Sequence, residues 1–111
     1  MAPRGINQVA FRCDDVRAEV RRLRALGAGL VDVPKNYYAD LEARFALPAA
    51  LVADLREHGL LFDRDEDGEL LHTYTPLIDG CFYVELLERR GAYDGFGSAN
   101  TAVRLALQAT S

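Results

Sequence analysis

The chain lacks a long apolar run, a basic excess, a cysteine framework and any internal repeat. No stretch approaches the roughly 20 apolar residues that cross a bilayer, so no membrane-spanning helix and no membrane partner is expected. Lys and Arg number 13 against 17 Asp and Glu, a formal charge of −4. A nucleic-acid partner, which favours a basic face, is therefore not expected. Two cysteines in 111 residues do not make a disulfide scaffold. Cys13 and Cys81 read as reduced thiols of a cytoplasmic protein. Met1 stands almost directly before the first strand, so no signal peptide is expected.

What the chain has is the balance of a folded domain: 50% hydrophobic and 27% charged residues, unlike a disordered segment. Its length sets one small domain, residues 1–111.

Residues 5–13 alternate as a half-buried strand. Ile6, Gln8, Ala10 and Arg12 share one face and Asn7, Val9, Phe11 and Cys13 the other. Asp14 or Asp15 caps the helix that follows. Its apolar stripe is Val16, Val20, Leu23 and Leu26, and Gly27 ends it. The arginines at 17, 21, 22 and 24 read as a solvated helix face, diluted by Glu19 and the flanking aspartates. Residues 29–33 have the pattern of a second strand, ended by Pro34. Asn36 reads as the cap of a helix over 37–45. Pro48 suits the first turn of another, running to His58 and stopping at Gly59.

Asp63, Asp65, Asp67 and Gly68 partly match a calcium loop, but its twelfth position requires a glutamate and Tyr74 stands there. The segment reads as a solvated hairpin turn. Residues 69–75 form a third strand with Leu70, His72 and Tyr74 on one face. Residues 81–88 form a fourth. Phe82, Val84 and Leu86 make a purely apolar face, which should pack on the helix. Tyr83, Glu85 and Leu87 then fall on the opposite, concave side. Residues 91–97 are a glycine-rich turn and 99–108 a short final helix. One sheet with a helix on one face leaves the other face open, and it carries Gln8, His72, Tyr74 and Glu85.

A buried, unpaired carboxylate is costly, so Glu85 needs a metal ion or an arginine such as Arg12 on a neighbouring strand. His72 reads as a nitrogen ligand, as a general acid or base, or as a pocket histidine bonded to Tyr74 or to a backbone group. His58, beside Gly59, suits the negative end of its helix and is given no catalytic role.

The strand order and four segments resemble the vicinal oxygen chelate superfamily, and within it the C-terminal half of the 4-hydroxyphenylpyruvate dioxygenases. The segments are Gly5-Ile-Asn-Gln-Val-Ala-Phe11, Leu70-Leu-His-Thr-Tyr-Thr75, Phe82-Tyr-Val-Glu-Leu-Leu-Glu-Arg-Arg-Gly91 and Asp94-Gly-Phe-Gly97. The chain is similar in addition to the dioxygenase-like C-terminal domain of bacterial two-domain 3-dehydroshikimate dehydratases. Asn36-Tyr-Tyr-Ala-Asp-Leu41, Phe62-Asp-Arg-Asp65 and Gly91-Ala-Tyr-Asp-Gly-Phe-Gly-Ser-Ala-Asn100 carry that likeness.

The resemblance implies an α+β fold: a single β-α-β-β-β module, half of a glyoxalase and dioxygenase fold, with inserted helices and a C-terminal helix. It implies an iron(II) site of two histidines and a glutamate. One histidine would come from a preceding module, which this chain lacks. The second falls at Gln8 and the glutamate at Glu85. At the position of His72 the dioxygenases carry a glutamine that lines the substrate pocket.

Gln8 and Glu85 are thus the expected metal residues, with His72 and Tyr74 touching a small keto acid or cyclic acid. Two copies about a two-fold axis would close a pair of modules. Two carboxylates and two amide oxygens would then suit magnesium, manganese or zinc as well as the iron of the family. The competing expectation is a module that keeps the fold without the chemistry. It would bind a small ligand, or serve as a dimerisation or accessory domain beside a dehydratase barrel.

Overall fold

The computed structural model describes residues 7–109; the expected strand start at 5–6, with Ile6, lies outside them. The elements run β1 (Asn7–Arg12), α1 (Val16–Ala25), α2 (Lys35–Phe45), α3 (Ala49–His58), β2 (Leu61–Arg64), β3 (Gly68–Tyr74) and β4 (Phe82–Gly91), then a 3-10 turn (Ser98–Asn100) leading into α4 (Thr101–Ala109). The strands form one sheet in the order β1-β4-β3-β2. β1 runs parallel to β4, and β3 antiparallel to both of its neighbours. This is the expected α+β module, with four strands and four α-helices among the described residues.

The second strand is not where the local pattern put it. Residues 29–33 are not in a strand; Val31 makes one backbone bond, its N–H to the Tyr74 carbonyl at 2.9 Å. The strand is Leu61–Arg64 instead. A single bond to the end of β3 cannot extend a ladder, whereas the acidic turn after Arg64 folds β2 back on β3 in register, Leu61 opposite His72. That turn is built rather than merely solvated. Asp65 Oδ1 accepts the N–H groups of Asp67 and Gly68 at 2.8 and 2.9 Å, and its Oδ2 accepts that of Asp94 at 3.1 Å.

Three helix details differ by small amounts. Asp15 is the cap of α1, accepting from the Ala18 N–H at 3.2 Å. Val16 and Val20 are fully buried, but Leu26 lies past the helix end and is 71% exposed. α2 begins before Asn36, after Pro34, with no side-chain cap. Pro48 precedes α3 rather than opening its first turn, and Gly59 ends that helix at φ 65°. A positive φ is the conformation that glycine adopts without steric penalty.

Strand parity places the two faces as the sequence implies. The helical side buries Val20, Leu55, Phe62, Leu71 and Leu86 in one core. Glu88 lies on that side as well: its Oε1 accepts the N–H of Val16 at 2.9 Å, at the positive N-terminal end of α1. The opposite face carries Tyr83, Glu85, Leu87 and Arg89 of β4 with Leu70, His72 and Tyr74 of β3. It is not left uncovered. Asn100 sits on His72, and Arg104 of α4 lies over the rings of Tyr83 and Tyr74, 4.7 and 5.8 Å from their centres. Gln108 donates to the Thr75 carbonyl at 3.1 Å. The tail therefore closes the β3 side of this face and leaves the β1 side open, where residues 8–12 are all exposed. Among the described residues no helix is long and apolar enough to cross a membrane.

Candidate functional site

Register builds the site. Ala10 of β1, Glu85 of β4 and Tyr74 of β3 lie opposite one another across three strands. Gln8 is two residues from Ala10 and His72 two residues from Tyr74, so both are diagonal neighbours of Glu85, within reach of a long side chain. The structure uses both diagonals. Gln8 Nε2 donates to Glu85 Oε1, and His72 Nδ1 lies 2.9 Å from Glu85 Oε2. Glu85 is 5% exposed and His72 is completely buried.

The four residues expected in the site thus meet in one place. Gln8, Glu85 and His72 form a continuous chain, and the Tyr74 hydroxyl lies 2.9 Å from His72 Nδ1. Burial first, and the nearby Glu85 carboxylate second, push the Tyr74 phenol well above its ordinary range, so it stays protonated. The expected alternative partner of Glu85, Arg12, is not used. It lies opposite Leu87, on the far diagonal at the exposed strand end, where a guanidinium keeps its hydration.

One member was missed. Asn100 is 1% exposed, and its amide donates to the Phe62 carbonyl at 3.0 Å and lies 2.9 Å from His72 Nε2. The Tyr37 hydroxyl donates to Asn100 Oδ1 at 2.9 Å. Burial pushes the Tyr37 phenol up to about 12. Asn100 was visible only as the last residue of a family-like segment. No local pattern marks an asparagine at a helix start as the partner of a histidine 28 residues away.

Beside Gln8 and Glu85 opens a hollow of about 220 Å³, lined further by Ala10, Leu70, Leu87, Arg89 and Phe96. That is below the usual 300–1,000 Å³ of a small-molecule pocket, and its β1 side faces solvent. Arg89 is held at the other end by the carbonyls of Tyr93 and Gly95, at 3.3 and 2.6 Å.

The family's iron set can be tested against these residues. The chain has two histidines. His72 has Nδ1 against Glu85 and Nε2 against Asn100. His58, on α3, has Nδ1 2.9 Å from the Asp54 carbonyl and Nε2 3.0 Å from an Arg21 guanidinium nitrogen. Neither ring has a free nitrogen at the Gln8–Glu85 hollow, so a two-histidine, one-carboxylate iron centre does not fit the residues of this chain. An oxygen-donor ion fits in part. Each carboxylate oxygen keeps a lone pair after accepting one hydrogen bond, and Gln8 donates through its nitrogen, leaving its oxygen for another partner. In a second candidate cluster, Asp54, Glu57 and His58, Asp54 is paired with Arg17 and His58 Nε2 is in contact with the Arg21 guanidinium.

No family model matches the chain. The chain is 42% identical over 106 residues to a 3-dehydroshikimate dehydratase of Pseudomonas putida, covering 95% of this chain and 17% of that protein. It is 36% identical over 98 residues to a 4-hydroxyphenylpyruvate dioxygenase of Pseudomonas aeruginosa, covering 86% of this chain and 27% of that protein. Among solved structures, it is similar to a fusion of a xylose isomerase-like TIM barrel with a 4-hydroxyphenylpyruvate dioxygenase, at TM-score 0.90 and 42% identity, over 95% of this chain and 17% of that one. A triple mutant of 4-hydroxymandelate synthase from Streptomyces coelicolor matches at TM-score 0.72 and 37% identity, over 94% of this chain and 29% of that one. The chain therefore spans about a sixth to a quarter of the length of the relatives it matches.

Proposed function

Starting from a chain that belongs, by sequence and fold, to the dioxygenase-like C-terminal modules of the vicinal oxygen chelate superfamily, we propose that it is a half-site. Glu85 and Gln8 hold a divalent ion that a second module completes, and the closed hollow takes a small keto acid or cyclic acid. The observation that carries this reading is the convergence of a buried carboxylate with an exposed amide, on the open side of the sheet and at the mouth of the hollow.

The second module is a second copy of this chain. β1 is an edge strand of the sheet formed by the described residues, a template for pairing, and Val9 and Phe11 on it are 43% and 54% exposed. A two-fold axis beside β1 brings two Gln8 and two Glu85 together. Four oxygen donors suit magnesium, manganese or zinc more than iron(II). When bound, such an ion polarises a carbonyl or carboxyl oxygen of the ligand. The chain's own residues do the rest. His72 orients Glu85, Tyr74 presents a protonated phenol beside them, and α4 excludes water from the β3 side. Arg89 places a cation at the far end, suited to the carboxylate of an acid.

A second reading has its own support: both Glu85 oxygens already receive donors within the chain, so the fold needs no ion to satisfy this carboxylate. The module would then bind a small acid without turnover, or serve as a dimerisation domain beside a dehydratase. Elemental analysis of purified protein and of Glu85→Ala separates the two. The proposal expects manganese, magnesium or zinc in the native protein and its loss in the variant. A metal-free native protein that forms a stable dimer supports the second reading.

A further inference from the structure

The polar chain reaching from α2 to β1 can be assigned atom by atom. The Phe62 carbonyl is an acceptor only. Asn100 lies 3.0 Å from it, so the atom facing it is the amide nitrogen, and Oδ1 is left to accept from the Tyr37 hydroxyl. The same nitrogen lies 2.9 Å from His72 Nε2. Its two hydrogens therefore go one to Phe62 and one to the imidazole, and Nε2 must accept. A neutral imidazole that accepts at one nitrogen carries its proton on the other. Nδ1–H is thus donated toward Glu85 Oε2, 2.9 Å away, with the Tyr74 hydroxyl oxygen, 2.9 Å from the same nitrogen, placed as a second acceptor, and one carboxylate oxygen is committed to the histidine. The other, Oε1, is the one that Gln8 reaches.

We propose that Asn100 is a positioning residue: through the single tautomer it imposes on His72, it fixes the Glu85 carboxylate so that Oε1 is the atom presented to a bound ion. This rests on the metal-binding half-site described above. It follows that His72 is neither a metal ligand nor a proton donor to substrate. Both of its nitrogens are spent inside the protein and the ring is wholly buried. Carboxylate and histidine ligands of metal sites are commonly held by such partners, whose loss costs about 10–100-fold in metal affinity.

The arrangement also ties the C-terminal segment to the site. Asn100 stands where the 3-10 turn enters α4. Gly97, just before it, has φ 69°, and a Cβ there would lie 2.7 Å from His72 Cε1. Seating of the tail on the imidazole and alignment of Glu85 are therefore one event.

The test combines nitrogen-15 NMR of the histidine side chains with Mn2+ titration, on the full chain and on Asn100→Ala and Asn100→Asp. In the ion-free native protein, His72 should give a protonated Nδ1 and an unprotonated Nε2. In Asn100→Asp, whose side chain offers only acceptors when ionised, Nε2 should gain the proton. In Asn100→Ala both tautomers should appear. Mn2+ affinity should fall at least about tenfold in both variants. A native His72 protonated at Nε2 overturns the inference, and needs no variant to fold. So does an Asn100→Ala protein with an unchanged tautomer and unchanged Mn2+ affinity. Failure of the underlying half-site looks different: native protein and Glu85→Ala would bind Mn2+ equally poorly, with the native tautomer as assigned. That outcome removes the ion-directed role.

Discussion

Replacing His72 by leucine and by glutamine separates packing from polarity in the buried chain. Leucine fills a similar volume but offers no hydrogen bond. It removes the Nδ1–H donor of the Glu85 carboxylate and the acceptor of one Asn100 N–H. A hydrogen bond to a buried charge is worth about 1.5–3 kcal/mol and a neutral one about 1 kcal/mol. The new apolar contacts return part of that, since burying a leucine is favourable by roughly 1.5–3 kcal/mol relative to exposure but here replaces a ring that is already packed. The net expectation is a loss of about 2–3 kcal/mol, or roughly 10 °C in melting temperature for a domain of this size. Glutamine retains an oxygen to accept from Asn100 and an N–H to donate to Glu85. It gives up the edge-on contact between the His72 and Tyr74 rings at 5.3 Å, so it should cost no more than about 1 kcal/mol. Urea and thermal unfolding followed by circular dichroism measure both variants. A leucine variant as stable as the native protein would show that the chain contributes nothing to stability. A glutamine variant as weak as the leucine one would show that donor and acceptor order is irrelevant.

Three other expectations follow from single groups. Tyr37 is held protonated up to about 12, by burial first, so its folded value is raised. Its contribution is complete below the ordinary tyrosine value near 10 and is lost as pH rises from there toward 12, roughly 2–3 kcal/mol at 1.36 kcal/mol per unit. Tyr38 and Tyr74, raised for the same first reason, act in the same direction, and urea midpoints between pH 9 and 12 should fall while phenolate absorbance lags behind that of unfolded protein. The Thr73 hydroxyl is buried without a partner among the described residues. Thr73→Val keeps its shape and should raise stability by about 1 kcal/mol, read as a higher urea midpoint at an unchanged slope. Gly97→Ala combines a left-handed backbone with a Cβ pressed on His72 and Leu70. It should cost at least about 1–2 kcal/mol and speed tryptic cleavage at Arg104 in α4.

Much of the site was legible because it depends on strand parity, the most rigid of sequence rules. The apolar Phe82, Val84 and Leu86 face fixed Glu85 on the concave side, and the alternation in β1 placed Gln8 on that side with it. Parity does not choose between diagonals: Gln8 and Arg12 both lie two residues from Ala10, opposite Glu85, and only the side-chain contact shows that Gln8 is the one that reaches it. The second strand was misplaced for a related reason. Leu30, Val31 and Val33 have strand-like composition but stand between a helix end and Pro34, where only one backbone bond is available. Leu61–Arg64 is short and runs into acidic residues, yet the Asp65 turn folds it against β3. Asn100 was invisible as a site residue because its partners, Tyr37, Phe62 and His72, come from three elements that only tertiary packing brings together.

Calorimetric titration of Mn2+ into the native chain, with Glu85→Ala as the control, bears most directly on the half-site. Saturation at one ion per two chains, abolished in the variant, is the predicted result. Heat that is absent, or that is the same with and without the Glu85 carboxylate, would contradict it.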